Sequence, residues 1–242
     1  EHIPNESLNE YNIKQAKNVV KGISIKEIIS IRNKPPEVAL KVISKNIALG
    51  IKEFKDLGIV HRDISENNII ILPGGNIKFI DFGESCMFTN NDNRNSNNVL
   101  YSSTGTRQYL SPEEIYLGCN THNYHNGYKK YNKENYYKRD VWSYGILMHQ
   151  LFYGDFSKAF TPNFVTNYTN FSESIMKGVF PNKRNLQLYN QHSSEAFEFI
   201  NSILSKKDPT ERPSIEDVLA HPFLDEQNQN NTQTVKTVSK EL

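Results

Sequence analysis

Cysteine is scarce in this chain of 242 residues, and the two present, Cys86 and Cys119, lie far apart. Neither has a CxxC companion, which argues against a zinc site or a disulfide framework and favours a reducing compartment. No apolar run approaches the roughly 20 residues that a membrane helix needs. The first four residues also lack the basic and apolar regions of a signal peptide. We therefore expect a cytoplasmic or otherwise intracellular protein, with an upstream targeting segment left open.

An excess of charge of one sign is also missing. Lys and Arg number 28 against 27 Asp and Glu, giving a formal net charge of +1. Without a strong overall field, the composition gives no reason to expect a nucleic acid or a membrane surface as partner. Hydrophobic residues make up 37% of the chain, which is enough for one sizeable core or two small ones.

The first half of the chain shows alternating helix and strand signals. A short helix is predicted at about Ser24 to Ile31. A long amphipathic helix should begin after Pro35-Pro36 and end at Gly58, because apolar residues recur between them at three- and four-residue steps. Two β-branched runs, Ile69 to Leu72 and Ile77 to Ile80, flank a Pro-Gly-Gly-Asn turn and predict a hairpin.

The second half is predicted to be helical, with two polar inserts. Asn, Asp and Ser dominate Thr89 to Ser103, and a second polar insert spans Cys119 to Tyr137. Apolar spacing then predicts three helices, at about 141–151, 194–204 and 215–219.

The motif that indicates chemistry lies between the long helix and the first strand of the hairpin. There, residues 61–68 read His-Arg-Asp-Ile-Ser-Glu-Asn-Asn, and the hairpin is followed by Asp81-Phe82-Gly83. These segments resemble the H-R-D-x-x-x-x-N catalytic loop and the D-F-G triplet of eukaryotic-type protein kinases, in order and spacing. Each motif alone is weak, because Asp and Asn are common turn formers. Their combination makes the resemblance specific.

The resemblance implies a reaction and a role for each residue. Asp63 would act as the base that orients the acceptor hydroxyl and takes its proton. Asn68 and Asp81 would supply oxygen ligands to Mg²⁺, which neutralises charge on the ATP phosphates. The expected partners are therefore ATP and a protein substrate, and a regulatory protein partner stays open.

Three later segments also resemble kinase landmarks. Residues 105–113, Gly-Thr-Arg-Gln-Tyr-Leu-Ser-Pro-Glu, are similar to the end of an activation segment of the Ser/Thr type, with Thr106 available to hydrogen-bond near Asp63. The resemblance implies that Asp140 braces the backbone of the catalytic loop. It also implies a buried ion pair between Arg212 and Glu113.

Further residues are given structural, regulatory or nucleotide-binding roles by the same resemblance. His61 and Phe82 look like members of the hydrophobic column that aligns active kinases, and Gly83 completes the triplet. Arg62 suggests a phosphate-binding group for the activation segment. Ser102 is the leading acceptor for that phosphate, with Ser103 and Thr104 as rivals, and a Ser-rich loop without regulatory role is the alternative. Ile70 would line the floor of the adenine pocket, or simply belong to the core.

The predicted fold class is mainly α with a small β-hairpin, the large (C-terminal) lobe of a kinase-like fold without the N-terminal lobe. Residues 22–224 would form this lobe. Residues 1–21 would be a remnant of the hinge or of a small-lobe strand with its linker, and residues 225–242 a disordered tail. No Gly-rich loop or strand lysine of a small lobe is recognisable before Gly22.

One departure from the pattern concerns the nucleotide. Ser65 stands where most Ser/Thr kinases have a lysine that reaches the γ-phosphate, so a positive charge is missing there. Three hypotheses stay open: a Ser/Thr kinase whose small lobe lies upstream, a catalytically weak or inactive lobe that binds protein partners, and a lobe that completes an ATP site with a separate chain.

Overall fold

The computed structural model describes residues 22–30, 35–73, 75–88, 104–119, 133–154 and 192–225. The predictions for residues 1–21, for Ser102 and for the tail beyond Asp225 lie outside the described residues. The elements in chain order are β1 (Ile23–Ser24), α1 (Ile25–Ser30), α2 (Glu37–Asp56), β2 (Ile59–Val60), β3 (Ile69–Ile71), β4 (Ile77–Phe79), β5 (Cys86–Met87), α3 (Pro112–Cys119), α4 (Lys133–Tyr153), α5 (Ser194–Leu204) and α6 (Ile215–Leu219). Single 3₁₀ turns occur at Arg107–Tyr109 and Pro222–Leu224.

The long helix α2 forms where the apolar spacing predicts it. Pro36 occupies the N-cap position, and Leu40, Ile47 and Ile51 point into the core from one face. The helix ends at Asp56, after which Gly58 adopts a φ of 77°, a conformation that glycine accepts without steric cost. This turn leads directly into β2 and the loop that carries residues 61–68.

The predicted hairpin is present. Strands β3 and β4 pair antiparallel, with Ile69 opposite Phe79 and Ile71 opposite Ile77. A third strand that was not predicted extends the hairpin: β1 pairs with the outer edge of β3, with Ser24 opposite Ile70.

A second small sheet was also not predicted. Strands β2 and β5 pair antiparallel, with Ile59 opposite Met87 and Val60 opposite Cys86. Two-residue strands carry too little periodicity to be recognised in a sequence, because their pairing depends on residues far along the chain. The pair joins the segment before residues 61–68 to the segment after Asp81.

The core is built around helix α4, which is buried along nearly its whole length. Trp142 and Tyr144 are fully buried, and a Cβ on Gly145 would lie 2.8 Å from the Leu204 side chain of α5, so the two helices approach closely. The polar insert was predicted to run from Cys119 to Tyr137, and its predicted end is wrong. Helix α4 begins at Lys133, because Tyr136 and Tyr137 pack beside Val60 in a second, smaller core.

The described part of the chain is thus a helical body with two small sheets. None of its helices is long and apolar enough to cross a membrane.

Candidate active site

The carboxylate of Asp140 in helix α4 fixes the start of the loop formed by residues 61–68. The backbone amides of His61 and Arg62 donate to its two oxygens at 2.7 and 2.9 Å. Both bonds are buried. Burial raises the pKa of Asp140 to about 7, against the lowering effect of the two amides. Arg62 adopts a φ of 68°, and this turn directs the chain toward Asp63. The contact implied for Asp140 is therefore present.

Asp63 and Asn68 contact each other directly. The Asn68 amide nitrogen donates to Asp63 Oδ2 at 2.7 Å and to the Asp63 carbonyl at 3.0 Å. The other carboxylate oxygen, Oδ1, accepts the backbone amide of Thr106 at 2.7 Å. The main chain of Thr106, rather than its side chain, therefore connects the end of the activation-like segment to Asp63.

Asp81 follows the hairpin and lies on the exposed side of the site. Its φ is 62°, and Oδ1 accepts the backbone amide of Gly83 at 3.2 Å. The hairpin fixes its position relative to Asn68, because the Ile80 amide donates to the Asn68 carbonyl at 2.9 Å. Asp81 therefore follows a residue that is hydrogen-bonded to Asn68.

The side-chain oxygen atoms of Asn68 and Asp81 suit a hard divalent cation. Since the Asn68 amide nitrogen uses both hydrogens on Asp63, its amide oxygen is turned away from Asp63. Asp81 keeps its second carboxylate oxygen, which has no hydrogen bond to the described residues. Amide and carboxylate oxygens are the ligands that Mg²⁺ accepts alongside phosphate and water. The described residues contain no cluster of three or more His, Cys, Asp or Glu that could hold a metal alone.

Phe82, the residue after Asp81, belongs to a cluster of aromatic rings. The Phe82 ring is 4.8 Å from the His61 ring and 5.4 Å from that of Phe54, and Phe54 is also 4.9 Å from Phe79. Burial lowers the pKa of His61, so its imidazole is neutral at physiological pH. Phe82 is 44% exposed although its neighbour His61 is fully buried.

The two residues assigned to the nucleotide lie in different surroundings. Ser65 is fully buried, and its hydroxyl has no hydrogen-bond partner in the described part of the chain. Ile70 lies on β3, half-buried between Ser24 and Lys78 of the neighbouring strands. Both assignments stay predictions.

A polar contact missed by the sequence analysis joins the activation-like segment to the catalytic loop. The Tyr109 hydroxyl contacts the carboxylate of Glu66 and the side-chain amide of Gln150. Gly105 makes a second close approach: its φ is 97°, and a Cβ there would lie 2.4 Å from the Arg62 carbonyl oxygen. The G-T-x-x-Y spacing signals the segment, but nothing in the sequence identifies its partners 41 to 43 residues away.

Arg212 and Glu113 form the predicted buried ion pair. The guanidinium donates to both carboxylate oxygens, at 2.8 and 2.9 Å. It also donates to the carbonyls of Lys138, Lys206 and Lys207 at 2.8 to 3.2 Å. The pair therefore joins the start of α3 to the segment before α6.

The adjacent carboxylate, Glu114, was missed. It is buried, accepts the amide and hydroxyl of Ser111 at 3.0 and 2.7 Å, and lies 3.6 Å from Arg139. Burial raises its pKa. Acidic residues are mostly exposed to solvent, so no local signal indicates that this one is buried.

The sequence is also similar to those of known proteins. A sequence profile described as "Protein kinase domain" matches residues 9–224. Similar curated proteins include mitogen-activated protein kinase kinase 2 of Arabidopsis thaliana, which is 29% identical over 204 residues, 84% of this chain and 50% of that protein.

Two fungal proteins are similar to a comparable extent. Serine/threonine-protein kinase ste20 of Aspergillus fumigatus is 26% identical over 208 residues, 85% of this chain and 22% of that protein. Serine/threonine-protein kinase PSK1 of Saccharomyces cerevisiae is 29% identical over 196 residues, 81% of this chain and 12% of that protein. This chain therefore spans half or less of the length of these relatives.

Proposed function

This chain belongs to the protein kinase domain family, and from that premise we propose that it is the large lobe of a serine/threonine kinase. As part of a complete kinase, it would transfer the γ-phosphoryl group of ATP to a Ser or Thr hydroxyl of a protein. In this proposal residues 22–224 form the lobe, residues 1–21 belong to the hinge side, and residues 225–242 form a tail. The scarcity of cysteine favours a reducing, intracellular setting.

The observation that supports the proposal most is the contact between Asp63 and Asn68. Asn68 and the Thr106 amide donate to opposite oxygens of the Asp63 carboxylate and so fix its orientation. A carboxylate in this position can accept the hydrogen of an incoming hydroxyl and then its proton. Phosphoryl transfer depends on such positioning together with electrostatic stabilisation of the phosphate, so a preoriented base meets one of its requirements.

Asn68 and Asp81 would hold Mg²⁺ through the oxygen atoms described above. When bound, the ion neutralises charge on the phosphate oxygens and fixes their orientation. The hairpin keeps the two residues together through the bond between Ile80 and Asn68. Asp140 keeps the loop in place by accepting the backbone amides of His61 and Arg62.

The test is transfer of labelled phosphate from Mg-ATP to a mixed Ser/Thr peptide library by the complete kinase of which this chain would be the large lobe. Asp63→Asn should lower the rate about 10²- to 10⁴-fold, since it removes the proton acceptor. Asp81→Ala should abolish the response to Mg²⁺. Asp56→Asn is the matched control, because Asp56 is an exposed carboxylate paired with Lys52 at 2.6 Å. Equal rates for Asp63→Asn and the unmodified chain would refute the proposal.

The burial of Ser65 favours a second candidate, a lobe that binds protein partners without catalysis. The catalytic loop presents no cation of its own at that position, so stabilisation of the transferred phosphate is weakened. This candidate predicts no transfer even by the complete protein that contains the lobe. It also predicts partner binding that is insensitive to Asp81→Ala, which a pull-down with both forms would measure.

A further inference from the structure

The short helix α1 lies directly against the catalytic loop. Its Ile25 and Ile28 are buried in the main core, which fixes the helix in position. The backbone amide of Lys26 and the Ser24 hydroxyl both donate to the Glu66 carbonyl, at 3.2 and 3.3 Å. Lys26 is therefore tied to the loop through its main chain, whatever its side chain does.

The Lys26 side chain reaches over the same loop. Its ammonium nitrogen lies 3.1 Å from Asn67 Oδ1, and both residues are exposed. Asn67 is a neutral amide, so this bond directs the ammonium group without cancelling its charge. In the part of the chain that the structure describes, this ammonium contacts no carboxylate. An ammonium group has three donors, so at least two stay available to a ligand.

In the part of the chain that the structure describes, Lys26 is an exposed cation beside the loop. Arg62 and Ser65 of the loop itself are buried. The carboxylate of Glu66, which directly precedes Asn67, accepts from Gln108 at 3.3 Å and also contacts Tyr109. Its two oxygens are thus directed toward the activation-like segment. Asn67 immediately precedes Asn68, which contacts Asp63.

We propose that Lys26 determines substrate preference, by binding a carboxylate or phosphate group on a residue close to the acceptor Ser or Thr. The inference rests on the proposed kinase activity, because Asp63 places the acceptor hydroxyl within reach of the same loop. A substrate whose hydroxyl contacts Asp63 passes near Asn67, and an acidic side chain there pairs with the ammonium group.

The test measures binding and transfer separately. Binding is measured with fluorescent peptides in which alanine replaces the acceptor residue. Each peptide carries a single glutamate at one of the three positions on either side of that alanine, and a matched peptide carries glutamine at the same position. The unmodified chain should bind one of the glutamate peptides about two- to fivefold tighter than its glutamine partner, the effect of a partly exposed ion pair. The difference should shrink at high salt.

Variants then assign this preference to one side chain. Lys26→Gln should remove the preference, and Lys26→Glu should reverse it in favour of a lysine peptide. Lys206→Gln, an exposed lysine after α5, should leave it unchanged. If the preference is absent in the unmodified chain or persists in Lys26→Gln, the proposal is wrong. It is equally wrong if Lys26→Gln lowers transfer to all peptides alike and keeps the preference, since the lysine would then act on the nucleotide.

Failure of the kinase proposal would look different. If the complete protein transfers no phosphate but its binding preference follows residue 26, the result contradicts the enzymatic function and supports Lys26 as the charge-recognising group. Transfer without any charge preference contradicts only the role of Lys26.

Discussion

Replacing Arg212 by methionine should destabilise this chain severely. The Arg212 side chain is fully buried and Glu113 is 4% exposed, so the substitution leaves a carboxylate without its cation inside the protein. It also removes the donors to three backbone carbonyls, those of Lys138, Lys206 and Lys207. Breaking a buried pair by removing one partner costs about 3–5 kcal/mol, a large part of the free energy of unfolding of a typical domain.

The protein contains its own reporter for this measurement. Trp142 is the single tryptophan, it is fully buried, and the Arg212 guanidinium lies 5.0 Å from its ring. Urea unfolding followed by its fluorescence gives the free energy of unfolding for each variant. Lys206→Met serves as an exposed control and should change that free energy by less than about 0.5 kcal/mol.

A double-mutant cycle separates the ion pair from the packing. Glu113→Gln in the Arg212→Met background removes the stranded charge, so the double variant should be more stable than the sum of the single effects predicts, by about 1–3 kcal/mol. Strictly additive effects would refute the reasoning, as would a loss below about 1 kcal/mol for Arg212→Met alone.

Three further predictions concern the loop and its neighbours. Because burial raises the pKa of Asp140 to about 7, above its unfolded value of 3.8, the folded state binds this proton more tightly. The contribution of Asp140 to the free energy of unfolding should therefore be largest below about pH 4 and be lost as the pH rises to about 7. Urea unfolding of Asp140→Asn at several pH values should lack this part of the pH dependence. Gly105→Ala should cost about 1–3 kcal/mol, because the residue has a φ of 97° and its Cβ would clash with the Arg62 carbonyl; an unchanged unfolding midpoint would contradict this. Tyr109→Phe should lower the free energy of unfolding by about 1–3 kcal/mol, because it removes a buried hydroxyl that contacts Glu66. Thermal unfolding measures this loss, and an unchanged stability would mean that the contact contributes nothing.

Local signals in the sequence predicted most of the described elements. Helices α5 and α6 occur at the predicted residues, and α2 lies between its predicted start and stop signals. These elements have apolar faces with a clear helical period, and their ends carry Pro, Ser or Gly at the expected positions. The hairpin also matches, because a turn of Pro and Gly between two β-branched runs leaves few alternatives.

The elements that were missed depend on partners far away in the sequence. Strands β1, β2 and β5 are two residues each and form only because another strand lies beside them. The first turn of α4 looked like a polar loop, since Tyr136 and Tyr137 become apolar contacts only when Val60 is packed against them. In each case tertiary context overrode a weak local preference.

The sequence by itself determined the identity and order of the groups proposed for catalysis, Asp63, Asn68 and Asp81, because their spacing is a property of the chain alone. Only the tertiary structure decided how these groups meet: Asn68 turns its amide onto Asp63, Thr106 contributes its main chain, and Lys26 reaches the loop from 41 residues away. The physical reason is that hydrogen bonds are short and directional, so they depend on how helices and strands pack, and packing is determined by the whole chain.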